Sequence, residues 1–157
     1  MPRSSRTQTL LLSVFGALLL VSVTAFAFTF ESQLAWQHRD AIATEVEGVR
    51  LVAGGEAPDV EMNVTVENPT GRAVTLTGAA LVVYEGAPPF EDDRQLSVPR
   101  TASVPRTTVS AGESETVTVT ARAGNVTRAR RAIARGTATP SGTLEVELVG
   151  RGFTVDV

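Results

Sequence analysis

Residues 10–30 read LLLSVFGALLLVSVTAFAFTF, and these 21 residues without a charged side chain constrain the fold more than any other feature. As an α-helix they span about 30 Å, which matches the hydrocarbon core of a bilayer. Soluble helices are rarely apolar on every side. The sequence therefore predicts one transmembrane helix, an uncleaved anchor over residues 10–30, through which the chain contacts the membrane.

The charges that flank this run predict its orientation. Arg3 and Arg6 precede it, and Glu31 follows it. Because positive residues next to a span tend to stay in the cytoplasm, we predict a cytoplasmic N-terminus at residues 1–9 and a C-terminal domain outside the cell. Aromatic side chains, which favour membrane interfaces, gather at the outer end: Phe26, Phe28, Phe30 and Trp36. The predicted localisation is the cell membrane, with a single pass.

A cleaved signal peptide is the alternative interpretation of the same segment. Ala25-Phe26-Ala27 resembles a small-residue cleavage site, and a basic segment and an apolar core precede it. The apolar run continues beyond this site to Phe30, which favours the retained anchor. Secretion after cleavage stays the alternative localisation.

The remainder of the chain has the pattern of a β-protein. Residues 31–44 are mixed and polar, and we predict a juxtamembrane stalk there. From residue 45 onward, apolar and polar side chains alternate, as in half-buried strands. The clearest strand covers residues 59–67, where four apolar side chains share one face: Val60, Met62, Val64 and Val66. The chain has no cysteine, so this domain must fold on its apolar core without disulfides.

Several further strands are predicted downstream. Residues 73–85 form a long strand interrupted by Gly78, where we expect a bulge or a bend. Five of its apolar side chains are assigned to one face: Val74, Leu76, Ala80, Val82 and Tyr84. Two weaker strands surround Pro99 and Pro105. The other predicted strands cover residues 49–53, 116–121, 142–150 and 152–157.

One short helix is predicted from Asn125 to Arg135. Asn125 suits the N-cap, and Gly136 provides the C-terminal stop. A narrow apolar stripe consists of Val126, Ala129 and Ile133. About seven short strands with turns between them indicate a single immunoglobulin-like β-sandwich over residues 45–157. The predicted fold class is therefore all-β: a sandwich with one short helix, preceded by an N-terminal transmembrane helix.

The order of these features resembles the WHy domain of type 2 late embryogenesis abundant proteins, over about residues 45–157. The resemblance is carried by a strand ending in Asn68-Pro69, a strand reaching Tyr84 and Gly86, the turn SAGES, a short helix, and GTLEV before the final strand. That family forms a compact β-sandwich with a small helix and is associated with tolerance of water loss and salt. Its bacterial and archaeal members are often secreted or tethered to membranes.

The resemblance implies the same fold and a protective role, and the family offers no catalytic residues to carry over. CARDB and fibronectin III sandwiches share the V-x-V-x-N pattern, the glycine turn and the paired terminal strand, so they stay an alternative. The predicted helix at residues 125–135 favours the WHy interpretation, because those sandwiches usually connect their strands by loops.

The residue types on which most enzymes depend are scarce. The chain has no cysteine, no lysine and one histidine, His38, which excludes thiolate zinc sites, cysteine nucleophiles and serine–lysine dyads. We therefore predict a non-enzymatic protein without catalytic residues, cofactors, a metal site or a small-molecule substrate. His38 is interpreted as a solvated stalk residue. Glu91-Asp92-Asp93 offers oxygen ligands for calcium but lacks the EF-hand spacing, so a solvated loop is preferred.

The charge of the domain restricts its partners. Of 14 arginines, 12 follow residue 30, against 17 acidic residues, which gives a net charge of −5. Such a domain has no general attraction to nucleic acid, and we predict no nucleic-acid partner. The predicted helix is locally basic, however, and its arginines are candidate contacts for an acidic partner or lipid phosphates: Arg128, Arg130, Arg131 and Arg135. A solvated helix face is the alternative.

Two N-x-T sequons are candidate glycosylation sites, at Asn63 and Asn125. Proline excludes Asn68-Pro69-Thr70. The leading functional hypothesis is a membrane-anchored WHy-like domain that acts in desiccation or salt-stress tolerance or in protection of the cell envelope. The alternative is an adhesion-like or accessory sandwich that binds a protein partner at the envelope. An exposed apolar patch would favour the partner module, and a uniformly polar surface would favour the protective role.

Overall fold

A computed structural model describes residues 4–55, 57–100 and 102–157, with side chains from residue 8 onward. Arg3 and the side chain of Arg6, on which the predicted orientation depends, lie outside the described residues. The chain order is helix α1 (Ser4–Gln37), strands β1 (Ala43–Val52), β2 (Asp59–Glu67), β3 (Val74–Glu85), β4 (Thr107–Val109) and β5 (Ser114–Arg122), helix α2 (Val126–Ala134), and strands β6 (Ala138–Leu148) and β7 (Arg151–Asp156). Two 3-10 turns lie at Arg39–Ala41 and Asp92–Arg94.

Helix α1 is continuous over 34 residues and contains the whole predicted apolar run. Its hydroxyl groups donate to carbonyl oxygens four residues earlier, so they are satisfied within the helix: Ser13, Ser22, Thr24 and Thr29. The segment Gln8–Gln37 is long and apolar enough to cross a bilayer, and none of its apolar window is buried in the protein. A signal sequence would meet the same criteria.

The segment predicted as a stalk, residues 31–44, is packed against the domain. Its first half completes α1, the 3-10 turn at Arg39–Ala41 follows, and β1 begins at Ala43. Ala35 and Ile42 are buried and belong to the domain core. The helix therefore enters the domain without a free linker.

The described strands form two antiparallel sheets, with the orders β1-β2-β5 and β4-β3-β6-β7. Inward side chains from both sheets join in one apolar core, so the fold is β-sandwich-like. The predicted predominance of β-structure is therefore confirmed. In β2 the predicted alternation is confirmed as well, because all four inward side chains are completely buried: Val60, Met62, Val64 and Val66.

Strand β3 contains the bulge that Gly78 predicts, and this bulge changes the face of the residues beyond it. The register against β6 shifts between Leu76 and Gly78. One extra residue reverses the alternation, so Leu81 and Val83 are buried after the bulge. The single-face assignment was therefore wrong for three residues, which lie on the opposite face: Ala80, Val82 and Tyr84.

The proline-rich segment between β3 and β5 contains less strand than predicted. Among the described residues of this segment, β4 is the one strand, and the remaining pairings are isolated bridges at Gln95, Ser97 and Ser103. Leu96 and Ser97 are nevertheless buried, and the Ser97 hydroxyl accepts a hydrogen bond from the Val83 backbone N–H at 2.9 Å. The segment is thus tied to the core by single contacts instead of a ladder.

Helix α2 confirms the predicted short helix and both of its ends. The Asn125 side chain accepts from the Arg128 backbone N–H, and Gly136 has a φ of +66°. This left-handed conformation suits glycine, since it has no Cβ. The buried face consists of Ala129 and Ala132, whereas Val126 is only partly buried.

The strands define two ends of the sandwich, which we name by their position relative to α1. The proximal end carries the last turns of α1, the β2–β3 loop, the β4–β5 turn and the β6–β7 turn. The distal end carries α2 and the beginning of the loop after β3. Strand β3 connects the two ends and is about 35–40 Å long at ~3.3 Å per residue.

Candidate functional site

The contacts that join α1 to the sandwich lie at the proximal end. Arg72, in the β2–β3 loop, is 3.1 Å from the carboxylate of Glu31 through its Nη2 atom. The same atom donates to the Phe28 carbonyl oxygen at 3.3 Å, and the guanidinium lies 5.3 Å from the centre of the Phe28 ring. A side chain of the sandwich therefore binds a backbone group, a carboxylate and an aromatic ring of α1. We call this region the junction.

The junction also encloses the only tryptophan of the chain. The Trp36 ring centre is 5.0 Å from the guanidinium carbon of Arg39 and 5.3 Å from that of Arg151. Its third neighbour is Phe153 of β7, which meets it edge to face at 5.8 Å. Cations over an indole face are attracted by the ring quadrupole. Trp36 thus links the end of α1 to strand β7.

The β2–β3 loop that carries Arg72 is built around Asn68. This side chain is fully buried. Its two amide N–H groups donate to three carbonyl oxygens, those of Arg72, Val109 and Ser110, at 2.9–3.1 Å, so one N–H is shared by two acceptors. Its side-chain oxygen accepts from the backbone N–H and the hydroxyl of Thr70. Asn68 therefore fixes the loop against the β4–β5 turn and so holds the backbone that positions Arg72.

The β6–β7 turn forms the other side of the junction. Val149 and Gly150 have φ values of +53° and +72°, the pattern of a type I′ hairpin turn. A positive φ is unfavourable for a β-branched residue such as Val149. The Val149 side chain is also 47% exposed, so burial in the core does not compensate for the strain. A groove of about 320 Å³ lies between this turn and α1. Its walls are Thr29, Ser32, Gln33, Trp36, Gln37, Val149 and Arg151.

The junction carries charges of both signs. Three arginines lie there (Arg39, Arg72 and Arg151), and so do the carboxylates of Glu31, Asp40 and Asp156. Of these arginines, Arg72 pairs with Glu31 and Arg39 pairs with Asp40. Among the described residues, no carboxylate lies within ion-pair distance of Arg151, whose recorded contact is the Trp36 ring. Its guanidinium is therefore available to an external anion.

The predicted basic helix lies at the other end of the sandwich. Arg128 is the first residue of the predicted cluster, and it pairs with Glu85 at 2.6 Å and also donates to the Asp93 carbonyl. The other three arginines are exposed: Arg130, Arg131 and Arg135. Because α2 is distal, it faces away from the end of the sandwich that meets α1. Arg130, Arg131 and Arg135 therefore lie far from the candidate membrane span in α1.

Replacing Glu85 by glutamine should destabilise the protein at neutral pH and have little effect in acid. The hydrogen bond from Arg128 is the main cause that lowers the pKa of Glu85 below its ordinary value of 4.5. Partial burial opposes this shift, while the charges of Arg128, Arg135 and Arg131 reinforce it. A carboxyl group with a lowered pKa stabilises the fold above its unfolded pKa, and this stabilisation disappears as pH falls through the folded pKa.

Urea unfolding of the full chain in detergent, at neutral pH and far below pH 4.5, measures this difference. Glu91→Gln is the matched control, because Glu91 pairs with Arg94 at 3.7 Å and is more exposed. A Glu85→Gln effect of the same size at both pH values would contradict the prediction.

The two candidate sequons lie within regular structure. Asn63 is half-buried on the central strand β2, and its side chain accepts a hydrogen bond from Thr118 at 3.3 Å. Asn125 is exposed, but its side-chain oxygen caps α2. Attachment of a glycan would have to preserve or replace each of these hydrogen bonds.

The remaining candidates from the sequence do not converge on a centre. His38 is exposed at the end of α1, and its backbone N–H bonds to carbonyl oxygens of that helix. In the acidic loop, Asp92 accepts from Gln95, while the Asp93 carbonyl accepts from Arg128. Within the described parts of the chain, no three His, Asp or Glu side chains are grouped as metal ligands.

The junction arginines were not singled out by the sequence. Arg72 lies in the β2–β3 loop and Arg151 follows the β6–β7 turn, and both are far in sequence from α1 and from each other. Only the topology brings both turns to the proximal end. Trp36 gave the one usable signal, since an aromatic residue just beyond an apolar run marks an interfacial position.

No protein-family model matches the chain, and no curated protein matches it in sequence. Among solved structures, a protein from Archaeoglobus fulgidus, known from a crystal structure, is similar to this chain at 12% sequence identity. The similarity covers 72% of this chain and 94% of that protein, with a TM-score of 0.43.

Proposed function

We propose that the chain is a non-enzymatic, single-pass protein of the cell membrane whose sandwich faces outward and protects the cell envelope during desiccation or salt stress. The observation that carries the proposal is α1, which exposes apolar side chains in all directions and is nevertheless packed onto the sandwich through Arg72 and Trp36. The apolar run of this helix gains its stabilisation from lipid, since no described protein surface covers the run. The sandwich is thereby held at the membrane surface.

We further propose that the sandwich is immunoglobulin-like and of the WHy type. Support comes from the division of the strands, with β1, β2 and β5 in one sheet and β3, β4, β6 and β7 in the other. The helix between β5 and β6 also agrees with the WHy resemblance, because α2 occupies the position expected from it.

The surface of the sandwich supports the protective role. Among the described residues outside α1, Val149 is the only large apolar side chain that is exposed. The outer face of the β1-β2-β5 sheet carries polar groups that already bind one another: Thr65 with Thr116 at 2.8 Å, and Thr118 with Asn63. A surface of this kind stays rigid and polar as water activity falls, and it offers fixed hydrogen-bonding groups to the envelope.

The adhesion-like partner module is the second proposal, and α2 supports it. Arg130, Arg131 and Arg135 are exposed and project from the end farthest from α1. An acidic protein in the envelope is the partner that this charge would attract.

Cells that lack the protein should survive drying or high salt less well than cells that produce the full chain. The protective role requires the outward sandwich but no partner bound to α2. In cells that lack the protein, the Arg130→Gln/Arg131→Gln variant should therefore restore survival as fully as the unmodified chain does. Survival counts after drying measure both strains, with protein levels matched by immunoblot. Unchanged survival without the protein would contradict the protective role, and failure of the double variant alone would favour the partner module.

A further inference from the structure

The depth of the junction follows from the length of α1, provided that the proposed membrane anchoring holds. The apolar run ends at Phe30. The headgroup layer of one leaflet is about 5–8 Å thick, and a helix rises ~1.5 Å per residue. The next four or five residues, about 31–35, therefore lie among the headgroups of the outer leaflet.

Two parts of the sandwich reach this level. Arg72 contacts Glu31 and the Phe28 carbonyl, which brings the β2–β3 loop to the boundary between headgroups and hydrocarbon. The β6–β7 turn borders the groove together with Thr29 and Ser32 of α1. Both loops therefore contact the headgroup layer, and the phosphate groups of that leaflet surround them.

The conformation and exposure of Val149 are evidence that the ligand of this groove is a lipid. It is strained, since a β-branched residue is unfavourable at a φ of +53°, and a solvent-exposed turn would gain from asparagine or glycine instead. Strained residues of this kind concentrate at functional sites. Val149 lines a groove that begins at Thr29, beside the end of the apolar run, where an apolar side chain would contact acyl chains rather than water.

Arg151, at the start of β7, supplies a positive charge on the same side of the groove as Val149. It has no carboxylate within ion-pair distance among the described residues, and it lies over Trp36. Guanidinium groups bind phosphate oxygens through paired N–H donors. Arg39 and Arg72 already pair with Asp40 and Glu31, so Arg151 is the junction arginine that is free to bind an external anion.

We propose that the groove between α1 and the β6–β7 turn binds the headgroup of an anionic phospholipid from the leaflet around α1. In this complex, Arg151 binds the phosphate and Val149 contacts the acyl chain. A protein ligand is disfavoured because the groove opens beside the apolar run, where lipid surrounds α1 on every free side. Free phosphate is disfavoured as the ligand because it has no acyl chain that Val149 could contact.

The test uses the intrinsic fluorescence of Trp36, the only tryptophan of the chain. The full chain is reconstituted into phosphatidylcholine vesicles that contain an equal mole fraction of either brominated phosphatidylglycerol or brominated phosphatidylcholine. We expect stronger quenching by the phosphatidylglycerol, with a relative binding constant about fivefold higher, as one arginine near a membrane surface gives. Arg151→Gln should abolish this preference and Arg151→Lys should largely keep it.

Arg130→Gln is the matched control, because it removes the same charge at the distal end. Equal quenching by the two brominated lipids would overturn the proposal, and so would loss of the preference in Arg130→Gln. Competition by inorganic phosphate as effective as that by phosphatidylglycerol would show an anion site without lipid selectivity and would also overturn it. Flotation of the vesicles separates the two hypotheses: a chain that fails to float disproves the anchor, whereas a floating chain without lipid preference disproves only this inference.

Discussion

Replacing Leu19 and Val23 by arginine should move the protein out of the membrane fraction. Both side chains lie in the middle of the apolar run, on one side of α1, and are 57% and 59% exposed. An arginine at the centre of a span costs about 2.5–3.5 kcal/mol where leucine or valine contributes favourably, so the pair changes the insertion free energy by about 6–8 kcal/mol. Fractionation of a C-terminally tagged chain measures the change, which should be nearly complete.

The control is Leu19→Ala/Val23→Ala, which keeps the run uncharged and should stay in the membrane. Protease added to intact cells then tests the orientation, since the proposed exterior domain should lose its tag. A protected tag in the membrane fraction would reverse the orientation. Retention of the arginine variant in the membrane would show that residues 10–30 are not the anchor, and a mature chain beginning after Ala27 would establish cleavage.

Asn68→Ala should be among the most destabilising single substitutions in the sandwich. The side chain makes hydrogen bonds to three carbonyl oxygens and to Thr70, and all of them are lost together. Each net hydrogen bond contributes about 1 kcal/mol, and buried groups left unpaired cost about 1–3 kcal/mol. We therefore expect a loss of about 3–5 kcal/mol in the free energy of unfolding, measured by urea titration of the full chain in detergent.

Asn68→Asp separates the contribution of the hydrogen bonds to stability from that of side-chain volume. Aspartate fills the same space, but its carboxylate would face three carbonyl oxygens without an N–H to offer them, so it should be at least as destabilising as alanine. Asn63→Ala, on the preceding strand β2, is the matched control, because the Asn63 side chain accepts one hydrogen bond at 3.3 Å and its loss should cost less than about 1 kcal/mol. A cost for Asn68→Ala no larger than that of Asn63→Ala would show that the loop does not depend on Asn68.

The parts of the fold that local chemistry determines could be predicted from the sequence. The alternation over residues 59–67 identifies β2 because the side-chain period of a strand is two. Asn125 and Gly136 identify the ends of α2 because capping depends on the residues at those positions. The apolar run identifies α1 as a candidate span by length alone.

The prediction of which β3 side chains face the core was wrong because one inserted residue reverses the face of every residue that follows it in the strand. Gly78 signalled a bulge, but its effect on the phase of β3 depends on whether an extra residue is inserted, which the pairing with β6 decides. The junction could not be foreseen for a related reason. Arg72 and Arg151 become neighbours of α1 only after the two sheets have assembled, and no local sequence pattern predicts these long-range contacts.

The continuous passage of α1 into the sandwich has a mechanical consequence in a bilayer. The contacts of Arg72 with Glu31 and of Trp36 with Phe153 join helix and sandwich at two places, so we expect the two to move together as one lever. Spanning helices tilt by ~20° on average and tilt further when the bilayer becomes thinner. Over the ~35 Å length of β3, a tilt of about 20° would displace the distal end by roughly 12 Å. Changes in bilayer thickness would therefore be amplified into the position of α2 above the membrane.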